Sequence, residues 1–226
     1  MRGVFVVGTD TGVGKTRVAC ALLFAAVARG HRAAGLKPIS CGTVPTRDGP
    51  RHGDALALMA AASVALPYAA VNPFAFEPPI APHIASMEAG VALQRDAVVC
   101  EVRRSAALAE RVVVEGVGGL LVPLGPDWDA ADLVADLGLP AVLVVGLRLG
   151  CINHALLTHE ALLRRGIAFA GWVGSALDPG FARADENLAA LGARLGGAPL
   201  GVLPYAPQAS AADDARALTR MPEALA

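Results

Sequence analysis

Lysine is almost missing from this chain. Of 19 basic residues in a length of 226, seventeen are Arg, and only Lys15 and Lys37 are Lys. Exposed Lys and Arg often exchange freely in solvent, so the bias reads as a coding preference that also favours Ala, Leu, Val and Gly. A position that needs a slim point charge on a thin stem does not allow that exchange, and this singles out the two lysines. Charge of any kind is scarce at 17%, with 54% hydrophobic residues. That balance excludes a disordered chain and allows a large core. Net charge is −1, so the basic footprint of a nucleic-acid binder is missing. Long apolar runs are missing too. The run Ala19–Ala28 suits a buried helix and, with Val18 before it, still falls well short of the ~18 residues of a membrane span. The apolar stretch of the N-terminus is too short for a secretory signal. Cys20, Cys41, Cys100 and Cys151 form no CxxC pair, which points to reduced thiols and a cytoplasmic setting.

What is present alternates between short apolar runs and longer helical segments. The runs Val4–Val7, Ala33–Lys37, Val112–Glu115, Ala141–Val145, Ala168–Val173 and Leu200–Leu203 are strand candidates. Helices are expected at Lys15–Arg29, Asp54–Val64, Asp96–Glu110, Asp129–Leu137, Asn153–Arg165 and Phe181–Leu195. The Pro-rich stretch VNPFAFEPPIAPH is expected to be largely loop. Strands that are apolar throughout, rather than at every second residue, predict a parallel sheet covered on both faces. No repeat or linker divides residues 1–226. The expectation is one α/β domain, doubly wound, with a mainly parallel sheet.

Directly after the first strand comes GTDTGVGKT, Gly8–Thr16, with a helix starting at its end. Gly14-Lys15-Thr16 matches the end of a Walker A loop. There, backbone N–H groups wrap phosphate oxygens, the Lys reaches the outer phosphates and the Thr hydroxyl ligates Mg²⁺. The strict pattern puts Gly at position 9, where this chain has Thr9, with Gly8 one residue earlier. A dinucleotide GxGxxG cannot be written through these glycines. VVVEG, ending at Glu115 and Gly116, is an apolar strand closed by a carboxylate. That is the Walker B arrangement with Glu for Asp, able to hold or orient Mg²⁺. Lys37 ends the second strand, so all three features fall at strand carboxyl ends, where open parallel sheets bind ligands. The architecture this implies is that of P-loop nucleoside triphosphate hydrolases. No GxSxG or convincing Cys/His pair offers an enzyme nucleophile.

With GTDTGVGKT, KPISCG, GDALAL, VNPFAFEPPIAPH, VEGVGG and GCINH in order, the chain resembles the dethiobiotin synthetase family from about Val4 to Pro204. The resemblance implies a cyclo-ligase of biotin biosynthesis, Mg²⁺-dependent and homodimeric. It would close the ureido ring of 7,8-diaminononanoate with CO₂ (or bicarbonate) and ATP, giving dethiobiotin, ADP and phosphate. One amine becomes a carbamate, a carbamate oxygen takes the γ-phosphoryl group, and the second amine attacks the mixed anhydride. Lys15 would stabilise the transferring phosphoryl group and Lys37 the carbamate. Thr16, Asp54 and Glu115 match the Mg²⁺ site, and Thr11 would touch the substrate. Gly12, Val13, Gly14, Lys15, Thr16 and Arg17, with Glu115, Gly116, Val117 and Gly118, would line ATP. The base would meet Ser175, Ala176 and the loop Pro204, Tyr205 and Ala206. The substrate carboxylate would sit at the helix start Gly150, Cys151, Ile152 and Asn153, presented by the partner subunit. Asn153 as a simple N-cap fits the residues equally well.

Two positions depart from the family pattern. Cys41 stands where a Ser commonly contacts substrate, so either the neighbouring Ser40 takes over or that contact is weak. Ser175 stands where an Asn typically reads adenine, which opens the question of base selectivity. The histidines His83 and His154 lack metal-ligand spacing and are expected to be structural. Arg103-Arg104 and Arg164-Arg165 are expected on solvated helix faces, and Asp213-Asp214 on the surface of a final short helix or tail. Two other readings share the phosphate loop. A partitioning-type switch ATPase would carry a second Lys early in the loop, where this chain has Asp10. A small-molecule kinase would need an Arg-bearing lid, which the Pro-rich segment does not supply.

Overall fold

In the computed structural model, which describes residues 1–226, six strands form one sheet. They are β1 (Gly3–Gly8), β2 (Ala33–Leu36), β5 (Arg111–Glu115), β6 (Ala141–Leu147), β7 (Phe169–Ala176) and β8 (Gly201–Leu203). Their order is β2-β5-β1-β6-β7-β8, and every pair is parallel. Side chains alternate between two cores. Phe5 and Val7 of β1, Val112 and Val114 of β5, and Leu143 and Val145 of β6 enter one. Val4, Val6, Val113, Val142 and Val144 enter the other. Strands buried on both faces have to be apolar at every position, which is the pattern the sequence carries.

The helices are α1 (Lys15–Ala28), α2 (Gly53–Ala61), α3 (Tyr68–Val71), α4 (Pro82–Glu88), α5 (Arg95–Ala106), α6 (Ala130–Leu137), α7 (Cys151–Arg164), α8 (Ala184–Arg194) and α9 (Ala211–Arg216), with a 3₁₀ turn at Glu223–Leu225. α1 packs Val18, Leu22 and Leu23 into the second core, which Leu225 of the last turn also enters. Complete burial of one such leucine is worth about 2 kcal/mol. α5, α6 and α7 cover the opposite face through Val98, Leu133 and Leu162. α6 starts on a reciprocal capping box between Asp129 and Asp132 and stops at Gly138. No helix is long and apolar enough to cross a membrane.

Several expected boundaries move, each for a local reason. The second strand ends at Leu36 instead of Lys37, because the Lys37 amide donates to Val71 O at 2.9 Å, outside the sheet. The helix expected to reach Val64 stops at Ala61, since the amides of Ser63 and Val64 turn to Ala33 O, both at 3.0 Å. α7 begins at Cys151 on an N-cap Gly150 with φ 94°, so Asn153 is inside the helix and is not its N-cap. The helix expected from Phe181 begins at Ala184.

The Pro-rich stretch is more ordered than expected. Phe74–Phe76 forms β4, which pairs in parallel with β3 (Ile39–Cys41) in a second, two-stranded sheet. Pro82 opens α4, a position where the missing N–H costs nothing. The prolines therefore punctuate structure here instead of preventing it. Asp214 corrects a further expectation: it is 2% exposed, not a surface residue.

Candidate active site at the strand carboxyl ends

The loop between β1 and α1 hands the chain into the helix through Gly14, whose φ of 93° is left-handed. A Cβ there would also lie 2.5 Å from Ser175 Oγ. Beneath the loop, buried Val13 rests on Gly146 of β6, where a Cβ would come within 2.9 Å of the valine. Two side-chain-free positions thus let the loop lie flat on the sheet edge.

The loop, the residues after β2, the start of α2 and the end of β5 enclose a cleft of about 370 Å³. It is lined by Thr11, Gly12, Gly14, Lys15, Thr16, Arg17, Lys37, Ser40, Cys41, His52, Asp54, Glu115, Val117 and Gly118. Most of the residues expected to hold phosphate, cation and carbamate therefore meet in one place. Val13 lies under the loop, and Gly116 contributes its carbonyl to Lys37 at 2.8 Å.

The charges are paired before any ligand arrives. Lys37, 3% exposed, places Nζ 2.7 Å from Glu115 Oε1 and 3.1 Å from Asp54 Oδ2. Thr16 Oγ1 donates to the same Glu115 oxygen at 3.0 Å. Lys15 Nζ donates to Asp10 O at 2.9 Å, arching over its own loop. Burial, with Lys37 nearby, pulls the Lys15 ammonium down to about 8 against the attraction of Glu115, Asp54 and Asp10. Burial works against the Lys37 ammonium as well, but Glu115 and Asp54 outweigh it and raise its pKa. The Asp54 carboxyl, although desolvated, is held below its usual range by Lys37 and Thr16. Burial lifts the Glu115 carboxyl, with Lys37 opposing.

Thr16, Asp54 and Glu115 fit a Mg²⁺ ion. The donors are all hard oxygens, and Glu115 Oε2 is buried without any hydrogen-bond partner, an orphan that a cation would satisfy. Two carboxylates and a hydroxyl are too few for a closed cage. They suit an ion that takes its remaining ligands from phosphate and water.

Residues that sequence reasoning passed over hold this arrangement together. His52 is the N-cap of α2: Nδ1 accepts from the Asp54 amide at 3.2 Å, and Nε2 lies 3.1 Å from Cys41 O. Tyr68 Oη accepts from the His52 amide and donates to Asn72 Oδ1, each at 2.8 Å. Asn72 Nδ2 in turn donates to Lys37 O at 2.6 Å. Histidine is not among the usual N-cap residues, so no helix-start rule flagged it. Ser40 donates its hydroxyl to Asn72 at 2.8 Å and is committed to this scaffold. Cys41 beside it is half-buried and its thiol makes no hydrogen bond.

The other expected contacts lie outside the cleft lining. Ser175 is 1% exposed, and its hydroxyl is sealed under Gly14 with no partner. It does not offer its hydroxyl to a base. Ala176 follows it at the end of β7. Pro204, Tyr205 and Ala206 follow β8, further along the same rim. Gly150, Cys151, Ile152 and Asn153 begin α7, beyond an ion pair of 2.6 Å between Arg148 and Asp10. Beside them Leu149 is 94% exposed.

A family model described as an AAA domain matches residues 2–213. An ATP-dependent dethiobiotin synthetase BioD from Pseudomonas paraeruginosa is 52% identical over 205 residues, covering 90% of each chain. One from Aromatoleum aromaticum is 47% identical over 221 residues, covering 98% of each. Among solved structures, the septum site-determining protein MinD from Pyrococcus horikoshii, complexed with Mg-ADP, superposes with a TM-score of 0.61 at 15% identity. That match covers 96% of this chain and 92% of the other. Cell division protein FtsY from Thermotoga maritima gives 0.51 at 14% identity, over 94% and 63%. At those identities the solved structures establish a P-loop fold and nothing about activity. The same fold is thus shared with cell division proteins, while the extended sequence identity is with the dethiobiotin synthetases.

Proposed function

This chain belongs to the ATP-dependent dethiobiotin synthetase family, and on that premise we propose how its residues carry out the ligation. The protein is an ATP-dependent cyclo-ligase of biotin biosynthesis. Its substrates beside ATP are 7,8-diaminononanoate and CO₂. One amine of the diamine adds to CO₂ and loses a proton, giving a carbamate. A carbamate oxygen attacks the γ-phosphorus, the bond to the β-phosphate oxygen breaks, and ADP leaves. The second amine attacks the carbamoyl carbon and loses a proton, phosphate departs, and the ureido ring is closed.

The substrate supplies both nucleophiles, so the protein's share is positioning and counter-charge. Lys15, arched over the phosphate loop, faces the transferring phosphoryl group, and the loop amides from Gly12 to Arg17 hold the phosphates. Lys37, fixed by Glu115, Asp54 and the Gly116 carbonyl, presents one ammonium where carbamate charge develops. Thr16, Asp54 and Glu115 would hold Mg²⁺, which would neutralise phosphate charge. Thr11 and the uncommitted thiol of Cys41 line the diamine side. Ala176 and Pro204–Ala206 flank the base, with Ser175 lending support from beneath. The reading rests above all on one observation: both lysines, both carboxylates and the Thr hydroxyl converge on one cleft. Purified protein is expected to release phosphate only when diamine, bicarbonate and Mg²⁺-ATP are all present, with dethiobiotin detected by mass spectrometry. Rapid ATP turnover without diamine, and no dethiobiotin, would sink the ligase reading in favour of a switch ATPase.

We further propose a homodimer of single-domain P-loop ligase protomers in the cytoplasm. Gly150–Asn153 of the partner would complete the substrate site. Support comes from the start of α7 lying outside its own cleft and from the nearly bare Leu149 beside it. An apolar side chain that exposed next to a helix N-terminus suits an interface. Turnover per protomer should then fall on dilution in step with dissociation seen by light scattering. Constant specific activity through dissociation would refute a shared site.

A further inference from the structure

Arg17 lines the cleft, yet its guanidinium points elsewhere. Nε and Nη2 grip Asp214 of α9 at 2.9 and 2.5 Å, and Nη1 donates to Pro204 O at 3.2 Å. The aspartate side chain is 3% exposed, against 27% for the arginine. A carboxylate that buried is tolerated only with a matched partner, and the planar fork of Arg supplies two parallel bonds.

The geometry decides what this fork joins. Arg17 sits in the first turn of α1, directly after the phosphate loop. Pro204 begins the connection from β8 to α9, and Arg17 gives that connection its only side-chain hydrogen bond between Pro204 and Ala209. α9 is short and carries its own cap, with Ser210 and Asp213 bonding each other's amides. Beyond it, the Thr219 and Arg220 amides return to Leu200 O at 2.8 and 3.1 Å. The segment is thus fastened at its far end by backbone. At its near end α9 packs Ala211 against the core that holds α1, and the fork is the polar tie to the helix that carries the phosphates.

We propose that Asp214 is a positioning residue for nucleotide binding: through Arg17 it fixes the Pro204–Ala206 loop at a set distance from the phosphate loop. This rests on the reading above that Pro204–Ala206 covers the base. One guanidinium ties the two halves of the nucleotide site together, so the loop is ordered before ATP arrives and binding is spared that cost. The fork acts on ATP affinity and leaves the chemistry at Lys15 and Lys37 alone.

The test is steady-state dethiobiotin formation by the full chain. Asp214→Asn keeps size and removes charge. It is expected to raise the KM for ATP about tenfold with kcat at saturating ATP within about twofold of the parent, as for a loss of uniform binding. The diamine KM should not move. The paired change Arg17→Met with Asp214→Leu replaces the ion pair by apolar packing, which preserves folding, and should raise the ATP KM likewise. Photolabelling of the parent protein with 2-azido-ATP checks the underlying reading separately, through label on the peptide holding Pro204–Ala206. With that label in place, an unchanged ATP KM in both variants overturns the positioning role. So does a lower KM for Asp214→Asn, since a freed Arg17 would then bind ATP directly. Label found elsewhere removes the base-loop reading and the proposal with it.

Discussion

The two ends of the nucleotide cleft are built on different principles. At the phosphate end, Lys15, Thr16, Lys37, Asp54 and Glu115 form a web of side-chain charge, much of it buried, with contacts of 2.7 to 3.1 Å. At the end proposed for the base there is backbone, a sealed Ser175 and one fork from Arg17. On the proposed reading the first end answers a ligand of high, fixed charge, where each cation has to stand at one point. The second, on the same reading, would answer a flat heterocycle, for which a backbone edge and a well-placed loop suffice. The difference predicts that substitutions at the phosphate end strike kcat, whereas those at the base end strike affinity or nothing.

The largest effect expected is at Lys37. Replacing it by Arg puts a broad planar group where a single ammonium meets Glu115, Asp54 and Gly116 O. Turnover should fall by about 10²-fold or more, the usual cost of losing a placed charge that acts on the transition state. A variant that keeps turnover within about threefold would break the comparison at its stronger end, because point charge would then not matter. The smallest effect expected is at Ser175→Ala. The hydroxyl is buried without a partner, so its removal should leave kcat/KM for ATP within about twofold and leave the melting temperature unchanged or slightly raised. A marked loss in that assay would mean that Ser175 turns outward to the base, and the two ends would be more alike than described.

The same contrast explains what was legible in the sequence. The phosphate end could be read because its chemistry demands particular residue types beside strand ends, and Gly14-Lys15-Thr16, Lys37 and Glu115 each stand at one. Scarcity helped: in a chain that otherwise uses Arg, the two lysines were already marked. The fold followed from strands without alternation, since only a sheet covered on both faces calls for them. What stayed hidden were partnerships made by distant segments. Nothing in the neighbourhood of Asp214 says that it faces Arg17, and its pairing with Asp213 suggested the surface of a final short helix or tail. His52 was passed over because a histidine N-cap breaks the usual preference. The Pro-rich stretch hid a strand because β4 has no partner nearby in the chain and finds β3 only after folding.

β1 has a consequence of its own, on the time axis of folding. It lies at the middle of the sheet, between β5 and β6, with Gly3 opposite Val112 and Gly8 opposite Val144. No strand close behind it in the chain pairs with it, so it stays unpartnered until distant segments have been made and have found it. Pairings of such long sequence separation are slow to form, because the loop has to be closed before any contact repays the loss of entropy. The phosphate loop lies flat only once β6 is beside β1 and Gly146 is under Val13. A nucleotide therefore has nothing to bind until the sheet is nearly complete. ATP can hold the native chain in place by slowing its escape, but it cannot hasten its arrival.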